Sequence, residues 1–346
     1  MKKNKQYYQV QDDFARCPDA WLYVAYSARG AGKTYSFLRY CILNEKIFLY
    51  LKRTQIDIDL ITRPEFSPFK PLMRDYHWKM ETEKLYDGIS AVYRIAGEER
   101  ILCGYCLAMS AVHKYKGFDL SEVEYMCLDE FIPQLTERVN RQEGNLLLDL
   151  YMTVSRDREA REQPPLKLCL FANATELYCP ITETLQIVDD LSEMNAKEQE
   201  YKYIEDRKIF LHRIPFSEGA NTDSAIFRGM QGTQWAEMAF GGQFSFNDFS
   251  KIKKIPLKGF VPYVKVRYNR KDYYIYQHKD NGMYYMCQNP AKCTYEYDME
   301  IESDQSAFYD IWGADLQQEI IDGNMMFSSY SSYNFVRNFR RIYKNI

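Results

Sequence analysis

The sequence lacks the features of membrane and secreted proteins. It contains no apolar run of about 18 residues, the length that a membrane-spanning helix requires, and its N-terminus is too polar for a signal peptide. Internal repeats and low-complexity tracts are also missing. A formal net charge of only −3 does not by itself indicate a nucleic-acid partner, although a local basic surface is compatible with it. We therefore expect a soluble, intracellular protein.

The spacing of the cysteines gives no sign of a disulfide framework. Nine cysteines are scattered along the chain, and Cys103 and Cys106 form a C-x-x-C pair without a second pair or a histidine cluster nearby. We expect these two to be small, half-buried strand residues in a reducing cytosol rather than zinc ligands. The length of 346 residues favours two domains.

Residues 21–34 predict a strand, a phosphate-binding loop and the start of a helix. In such a loop, backbone N–H groups surround a phosphate and the positive end of the helix adds to the attraction. The usual G-x-x-x-x-G-K-[ST] pattern begins with glycine, whereas this chain has Ser27 there; the alternative is a glycine-rich turn with an exposed lysine. We assign nucleotide binding to Ser27, Ala28, Arg29, Gly30, Ala31, Gly32, Lys33 and Thr34.

Two adjacent acids end another apolar strand, in the sequence Cys127-Leu-Asp-Glu130. Asp129 and Thr34 are expected to hold Mg²⁺, in part through water, while Lys33 reaches the β- and γ-phosphates. Glu130 is expected to polarise a water molecule for attack on the γ-phosphate. The predicted cofactors are therefore ATP and Mg²⁺. An acidic strand end that caps the next element is the alternative interpretation.

Four apolar, strand-length segments alternate with helical patterns in the first half of the chain, at residues 21–26, 46–53, 123–128 and 166–171. Such runs are typical of a parallel sheet buried on both faces, with ligands gathered at the carboxyl ends of its strands. The fold class is therefore α/β. The strand at 46–51 comes between the phosphate loop and the acidic strand along the chain, which favours an ATPase domain with an additional strand and a catalytic glutamate.

Further polar residues follow these strands and helices. Asn173 closes a strand, where it would sense the γ-phosphate or, alternatively, cap a helix. Arg156 and Arg158 come at the end of a helix. Either they interact favourably with the negative end of the helix dipole, or one of them is an arginine finger that reaches the nucleotide of a neighbouring subunit. Arg29, Lys52 and Arg53 are further cations at the same sheet edge, with surface or core-rim roles as the alternative, and Arg53 is included among the nucleotide-binding residues.

Five motifs resemble, in order and spacing, those of the DNA-packaging ATPases of phi-29-like small tailed phages. The likeness covers most of the first domain and resumes weakly at residues 232–238 and in the basic C-terminal helix. The motifs are Ser27-Ala-Arg-Gly-Ala-Gly-Lys-Thr34, Phe48-Leu-Tyr-Leu-Lys-Arg53, Leu128-Asp-Glu-Phe-Ile132, the helix 146–158 with Thr153-Val-Ser-Arg-Asp-Arg158, and Phe171-Ala-Asn-Ala174.

This resemblance implies a ring-forming motor, pentameric in the family, that docks on the portal of an empty prohead and moves double-stranded DNA into it. It implies a possible packaging RNA as an additional partner and a host-cytoplasmic location, with transient attachment to the prohead and absence from the mature virion. It makes Arg156 the first candidate for the trans-acting finger and Arg158 the second. By position it also nominates Lys116 as a second trans-acting cation, with a solvated loop lysine as the alternative.

The C-terminal part of the chain combines basic and aromatic residues on three predicted antiparallel strands, at residues 260–267, 271–277 and 282–288. This pattern suits contact with a nucleic-acid backbone, although half-buried strand tyrosines between solvated lysines would look similar. The region resembles the RNase H-like nuclease domain of larger terminases, but its first strand lacks the carboxylates that two-metal cleavage needs. The predicted nucleic-acid contacts are Lys251, Lys253, Lys254, Lys258, Lys265, Arg267, Arg270 and Lys271.

The predicted organisation is a P-loop ATPase domain at residues 1–208, a small helical linker at 209–245 and a catalytically inactive, nuclease-like α+β domain at 246–346. An acidic helix at 187–208 is expected to close the first domain. Two rival functions stay open at this point. One is an oligomeric ATPase that acts on DNA without a capsid, as helicase loaders do, and the other is a non-hydrolysing nucleotide-binding scaffold.

Overall fold

The computed structural model describes residues 7–115, 119–134, 137, 139–158, 160–174, 176–215, 225–233, 247 and 249–343. The chain divides into two compact units, Met1–Phe246 and Asn247–Ile346. None of the helices in these ranges is long and apolar enough to cross a membrane.

The first unit contains a nine-stranded, mostly parallel sheet. Its strand order is β3-β4-β5-β2-β6-β7-β1-β9-β8, in which β4 and β8 run opposite to the other strands. This arrangement confirms the predicted α/β class. The strands are β1 (Leu22–Ser27), β2 (Phe48–Lys52), β3 (Lys79–Tyr86), β4 (Ile89–Ala96), β5 (Glu99–Ala108), β6 (Tyr125–Asp129), β7 (Lys167–Asn173), β8 (Tyr201–Ile204) and β9 (Ile209–Arg213).

The four central strands β2, β6, β7 and β1 are nearly continuous runs of buried residues. Helices cover both faces of such a sheet, and burial on both sides explains why the apolar runs do not alternate with polar residues. The helices of this unit are α1 (Val10–Arg16), α2 (Lys33–Leu43), α3 (Gln55–Ile61), α4 (Lys70–Tyr76), α5 (Glu143–Val154), α6 (Pro180–Thr184), α7 (Val188–Ala196) and α8 (Ala225–Met230).

Two sequence-based boundaries are wrong at the end of the first unit. The predicted helix at 187–208 stops at Ala196, and β8 follows it as an edge strand. Lys202 on β8 forms ion pairs with Asp190 and Glu193 of α7. The charged residues that suggested a single solvated helix therefore link a helix to the strand that follows it. Residues 209–213, predicted to begin the linker, form β9, which pairs in parallel with β1.

The second unit has a five-stranded sheet in the order β13-β10-β11-β12-β14. Strands β10 to β12 form the predicted antiparallel meander, while β13 and β14 pair in parallel with β10 and β12. The strands are β10 (Phe260–Tyr268), β11 (Lys271–His278), β12 (Tyr284–Cys287), β13 (Tyr295–Asp298) and β14 (Met325–Phe327).

Helices complete this smaller α+β unit, and Phe308, Phe335 and Phe339 stack among them as fully buried rings. The predicted C-terminal helix is interrupted at Asn338, so it forms two short helices. The helices are α9 (Glu302–Phe308), α10 (Ala314–Ile321), α11 (Tyr330–Arg337) and α12 (Phe339–Ile342), and a π-helical turn (Tyr309–Gly313) joins α9 to α10.

The close approach of α5 to α6 gives a prediction about stability. A Cβ at Gly144 would lie 2.7 Å from the carbonyl oxygen of Pro180 and would overlap the side chain of Thr184. We expect Gly144→Ala to lower the free energy of unfolding by about 1–3 kcal/mol, because the two helices must move apart. Gly229→Ala on α8 is the matched control, since no described atom lies within 4 Å of its added methyl group. Urea denaturation of both variants measures the difference, and equal effects would contradict this account of the packing.

Candidate nucleotide site

The phosphate loop and the acidic pair line one recess at the carboxyl ends of β1, β6 and β7. The backbone of Gly30 and Gly32 has φ values of 82° and 84°, a left-handed conformation that glycine adopts without strain, and α2 begins at Lys33. The recess encloses about 310 Å³. The predicted residues that line it are Arg29, Gly30, Ala31, Gly32, Lys33, Thr34, Asp129, Glu130 and Asn173, and Tyr35 and Ala172 complete its walls.

Ser27, the departure from the usual loop pattern, bonds to the lysine of the loop. Its hydroxyl accepts a hydrogen bond from Lys33 Nζ at 2.5 Å and donates one to the carbonyl of Ala28 at 2.6 Å. Glycine at this position would offer the ammonium group no side-chain partner. Ser27 itself is buried, at 2% exposure, and lies beside the loop rather than among the residues that line the recess.

Lys33 is a buried cation at the base of the recess. Burial lowers its pKa to about 8, and the negative charges of Asp129 and Glu130 oppose that shift without cancelling it. The cost of holding an ammonium group in a poorly solvated place would be offset by an anionic ligand. The position of Lys33 at the N-terminus of α2 adds the positive end of the helix dipole to the same point.

Asp129 and Glu130 end β6 and share a lysine from the neighbouring strand. Lys52 Nζ lies 3.4 Å from Asp129 Oδ2 and 3.3 Å from Glu130 Oε2. Burial opposes the charge of Lys52, but the two carboxylates outweigh burial and raise its pKa above the ordinary value. Sequence reasoning noted Lys52 as a cation at this edge and did not include it in the site.

A hydrogen bond and an unusual backbone conformation also shape the acidic pair. Tyr50 donates a hydrogen bond from its hydroxyl to Asp129 Oδ2 at 2.9 Å, a contact that no sequence signal indicated. Glu130 has a φ of 57°, which is unusual for a residue with a side chain and turns the chain sharply after the strand. Its carboxylate is therefore more exposed, at 54%, than that of Asp129, at 14%.

Asn173 lies where the sequence predicted, at the end of β7 and at the wall of the recess. Its strand lies between β1 and β6 in the sheet, and Asn173 pairs in register with Ser27. Asn173 therefore lies between the phosphate loop and the acidic pair at this edge of the sheet, and its role as a sensor of the γ-phosphate stays a prediction.

Arg53 does not lie in the recess, contrary to the sequence prediction. Its guanidinium bonds to Glu143 at 2.5 Å, to Glu137 at 3.0 Å and to the carbonyl of Phe131 at 3.0 Å. Arg53 thus joins the end of β2 to the turn after the acidic pair and to the first turn of α5. Successive strand residues point to opposite faces, which explains why Lys52 reaches the acids and Arg53 does not.

The two candidate finger residues have different surroundings. Arg158 is buried, at 5% exposure, and donates hydrogen bonds to the carbonyls of Pro164, Ser121 and Val123, at 3.0, 3.3 and 2.5 Å. These bonds give it a structural role and do not support Arg158 as the second candidate for a finger. Arg156 is exposed in the turn after α5. Lys116 lies outside the described residues.

The predicted nucleic-acid residues of the second unit fall into two groups. Lys265 faces Asp272 and Glu296 at 3.4 and 3.7 Å, and Arg267 lies 3.9 Å from Asp298, so these two cations are partly neutralised within the unit. The others are exposed or half-buried along the surface; they are Lys251, Lys253, Lys254, Lys258, Arg270 and Lys271.

This geometry defines a class of protein. A phosphate loop follows β1, the acidic pair ends β6, and β7 with its polar terminal residue lies between them. That order is the one expected of P-loop ATPases with an additional strand and a catalytic glutamate, as the motifs predicted.

Comparison with known proteins places the chain within this class. The family model of the Podovirus DNA encapsidation protein (Gp16) matches residues 3–304. The chain therefore belongs to the Podovirus DNA encapsidation protein family, and its function is that of a phage genome-packaging motor ATPase. No curated protein sequence matches it.

Two solved structures share its fold over nearly the whole length. The bacteriophage Phi-29 viral genome packaging motor assembly has a TM-score of 0.68 at 19% identity, covering 97% of this chain and 98% of that chain. The Phi-28 gp11 DNA packaging motor has a TM-score of 0.60 at 17% identity, covering 96% of this chain and 97% of that chain. At these identities the likeness establishes the fold.

The lowered pKa of Lys33 predicts a pH dependence of nucleotide binding. Above about pH 8 the free protein holds a neutral lysine, whereas a bound phosphate favours the ammonium form, so binding must take up a proton. We expect ADP affinity, measured by calorimetry without metal, to fall above that pH, by at most about tenfold per pH unit. Lys33→Met should bind more weakly and without this decline. An equally steep decline in Lys33→Met would assign the pH dependence to another group.

Proposed function

We propose that this chain hydrolyses ATP at the recess and uses the energy to move double-stranded DNA into a preformed prohead. One observation carries the proposal: the buried cation Lys33 and the carboxylates of Asp129 and Glu130 line the same recess, at the N-terminus of α2. In this arrangement the loop and Lys33 bind the phosphates, and Glu130 accepts a proton from the attacking water.

The donor set of the recess suits magnesium. The hydroxyl of Thr34 and the carboxylate of Asp129 are hard oxygen ligands, and both line the recess. Mg²⁺ held there, in part through water, would neutralise charge on the phosphates that the loop binds. Lys52 balances part of the negative charge of the two carboxylates, because its ammonium group lies within 3.5 Å of an oxygen of each.

We further propose that the site is completed by a neighbouring copy of the chain. Arg156 is exposed and does not line the recess of its own subunit, so the geometry favours a role in trans. The Phi-29 structure that shares this fold is a motor assembly, which supports an oligomer. A pentameric ring docked on the portal, with a packaging RNA as a candidate additional partner, follows from the family resemblance. Lys116 is kept as a second candidate cation in trans.

The second unit is proposed to contact DNA, portal or packaging RNA and not to cleave DNA. Strand β10 carries Lys265 and Arg267 and no carboxylate, and no cluster of possible metal ligands occurs among the described residues. Exposed lysines at positions 253, 254 and 258 supply positive charge for a phosphate backbone. The proposed location is the host cytoplasm, with transient attachment to the prohead and absence from the mature virion.

Replacing the proposed base tests hydrolysis directly. We expect Glu130→Gln to reduce ATP turnover by at least about 100-fold while ADP binding persists, because the amide cannot accept the proton of the attacking water. Turnover is measured with DNA and proheads together, the condition that separates a packaging motor from a loader. Glu99→Gln, an exposed glutamate at the start of β5, is the control. Undiminished turnover in Glu130→Gln would show that Glu130 is not the catalytic base. ATP turnover that does not depend on proheads would favour the helicase-loader alternative.

Mixed rings test the trans-acting arginine. Arg156→Ala and Lys33→Ala subunits should each be inactive alone, yet a mixture should regain activity, because an intact Arg156 then faces an intact phosphate loop at some interfaces. Steady-state ATP turnover across mixing ratios measures the recovery. Arg161→Ala, another exposed arginine shortly after α5, is the matched control and should remain active alone. Absence of recovery at every ratio would place the arginine in its own subunit's site or outside catalysis.

A further inference from the structure

Tyr50 connects the interior of the sheet to the acidic pair. It lies on β2 at 1% exposure, and its hydroxyl donates a hydrogen bond to Asp129 Oδ2 at 2.9 Å. Strands β2 and β6 run in parallel with Tyr50 opposite Cys127, so the long phenol extends along the sheet to the residue two positions further on, which points to the same face.

The phenol is a neutral donor held in the core. Its ring is buried on β2, so its hydroxyl reaches Asp129 Oδ2 from one direction. Lys52 is a different kind of partner, because its ammonium lies 3.4 Å from the same oxygen, Oδ2, and is shared with Glu130. The flexible lysine neutralises the pair, whereas the rigid, buried phenol fixes the direction of one carboxylate.

We propose that Tyr50 is a positioning residue for the metal site: its hydroxyl engages Oδ2 of Asp129 and thereby turns Oδ1 toward the recess, where a magnesium ion or its water is bound. This inference rests on the proposed function, since it requires a magnesium nucleotide in the recess. Tyr50 itself does not line the recess. Partners that orient a metal-binding side chain typically change metal affinity by about 10- to 100-fold when they are removed.

The alternative is that Tyr50 has only a packing role in the core. Removing its hydroxyl would then lower stability and would leave the contribution of Mg²⁺ to nucleotide binding unchanged. The two roles separate in one measurement, which is the ratio of ADP affinity with Mg²⁺ to ADP affinity in a metal chelator. Because both affinities are measured on the same variant, their ratio isolates the contribution of the metal and of the side chains that bind it.

The experiment measures this ratio by calorimetry for the full-length protein and for Tyr50→Phe. We expect ADP affinity in the chelator to stay within about twofold of the unaltered protein, and the gain on adding Mg²⁺ to fall by about tenfold. Tyr23→Phe is the matched control, because that tyrosine is buried in the same sheet and donates to the carbonyl of Cys17, away from the acids. It should keep the full Mg²⁺ gain.

Two non-natural residues at position 50 distinguish loss of the hydrogen bond from a folding defect. 4-Fluorophenylalanine fills the volume of the hydroxyl without donating and should reproduce the loss, whereas 4-aminophenylalanine restores a donor and should recover the gain. Asp129→Asn should abolish most of the Mg²⁺ gain, and adding Tyr50→Phe to it should change little more. An unaltered Mg²⁺ gain in both Tyr50→Phe and the fluorinated variant overturns the role of Tyr50. A missing gain in the unaltered protein overturns the magnesium site, and with it the proposed function.

Discussion

Parallel pairing of β1, β7 and β6 is the constraint on which the candidate site depends. Ser27 lies opposite Asn173, and Asp129 lies opposite Phe171, so the phosphate loop, the polar end of β7 and the acidic pair emerge at one edge of the sheet. Side chains on a strand alternate between faces, and a slip of one residue would turn Asp129 to the opposite face. Both faces of the sheet are buried, so the close packing of apolar side chains, rather than an alternation of polar and apolar residues, holds this register.

Both the number of charged groups and their burial determine the pKa values of the lysines at this edge of the sheet. Lys33 and Lys52 both face Asp129 and Glu130, yet their pKa values move in opposite directions. Lys52 lies close enough to the carboxylates for attraction to exceed the cost of burial, whereas Lys33 is influenced by the same acids and burial dominates. The site thus holds one cation whose charge is matched within the protein and another, Lys33, whose charge an anionic ligand would stabilise.

The sequence predicted the parts of this site whose chemistry is local. The phosphate loop, Asp129, Glu130 and Asn173 follow apolar strands directly, so hydrophobic pattern and chain order were enough to place them. The roles of Tyr50 and Arg53 depend on which strands are neighbours and in what register, and a single sequence does not encode that locally. For the same reason the sequence did not predict that Arg158 is buried against three carbonyl groups. The acidic composition of residues 187–208 also did not distinguish the helix α7 from the edge strand β8.

Helix α5 connects the recess of one subunit to the residue proposed to act in the next. Its first turn is held by the buried Glu143, which pairs with Arg53, and by the tight contact of Gly144 with α6. Its inner face, formed by Leu147, Leu150 and Val154, packs as a rigid surface, and Arg156 follows its last turn. Because Arg53 also bonds to the carbonyl of Phe131, directly after the acidic pair, it ties the first turn of α5 to the strand edge that carries Asp129 and Glu130. The helix that is followed by Arg156 is therefore anchored at the edge where the candidate site lies.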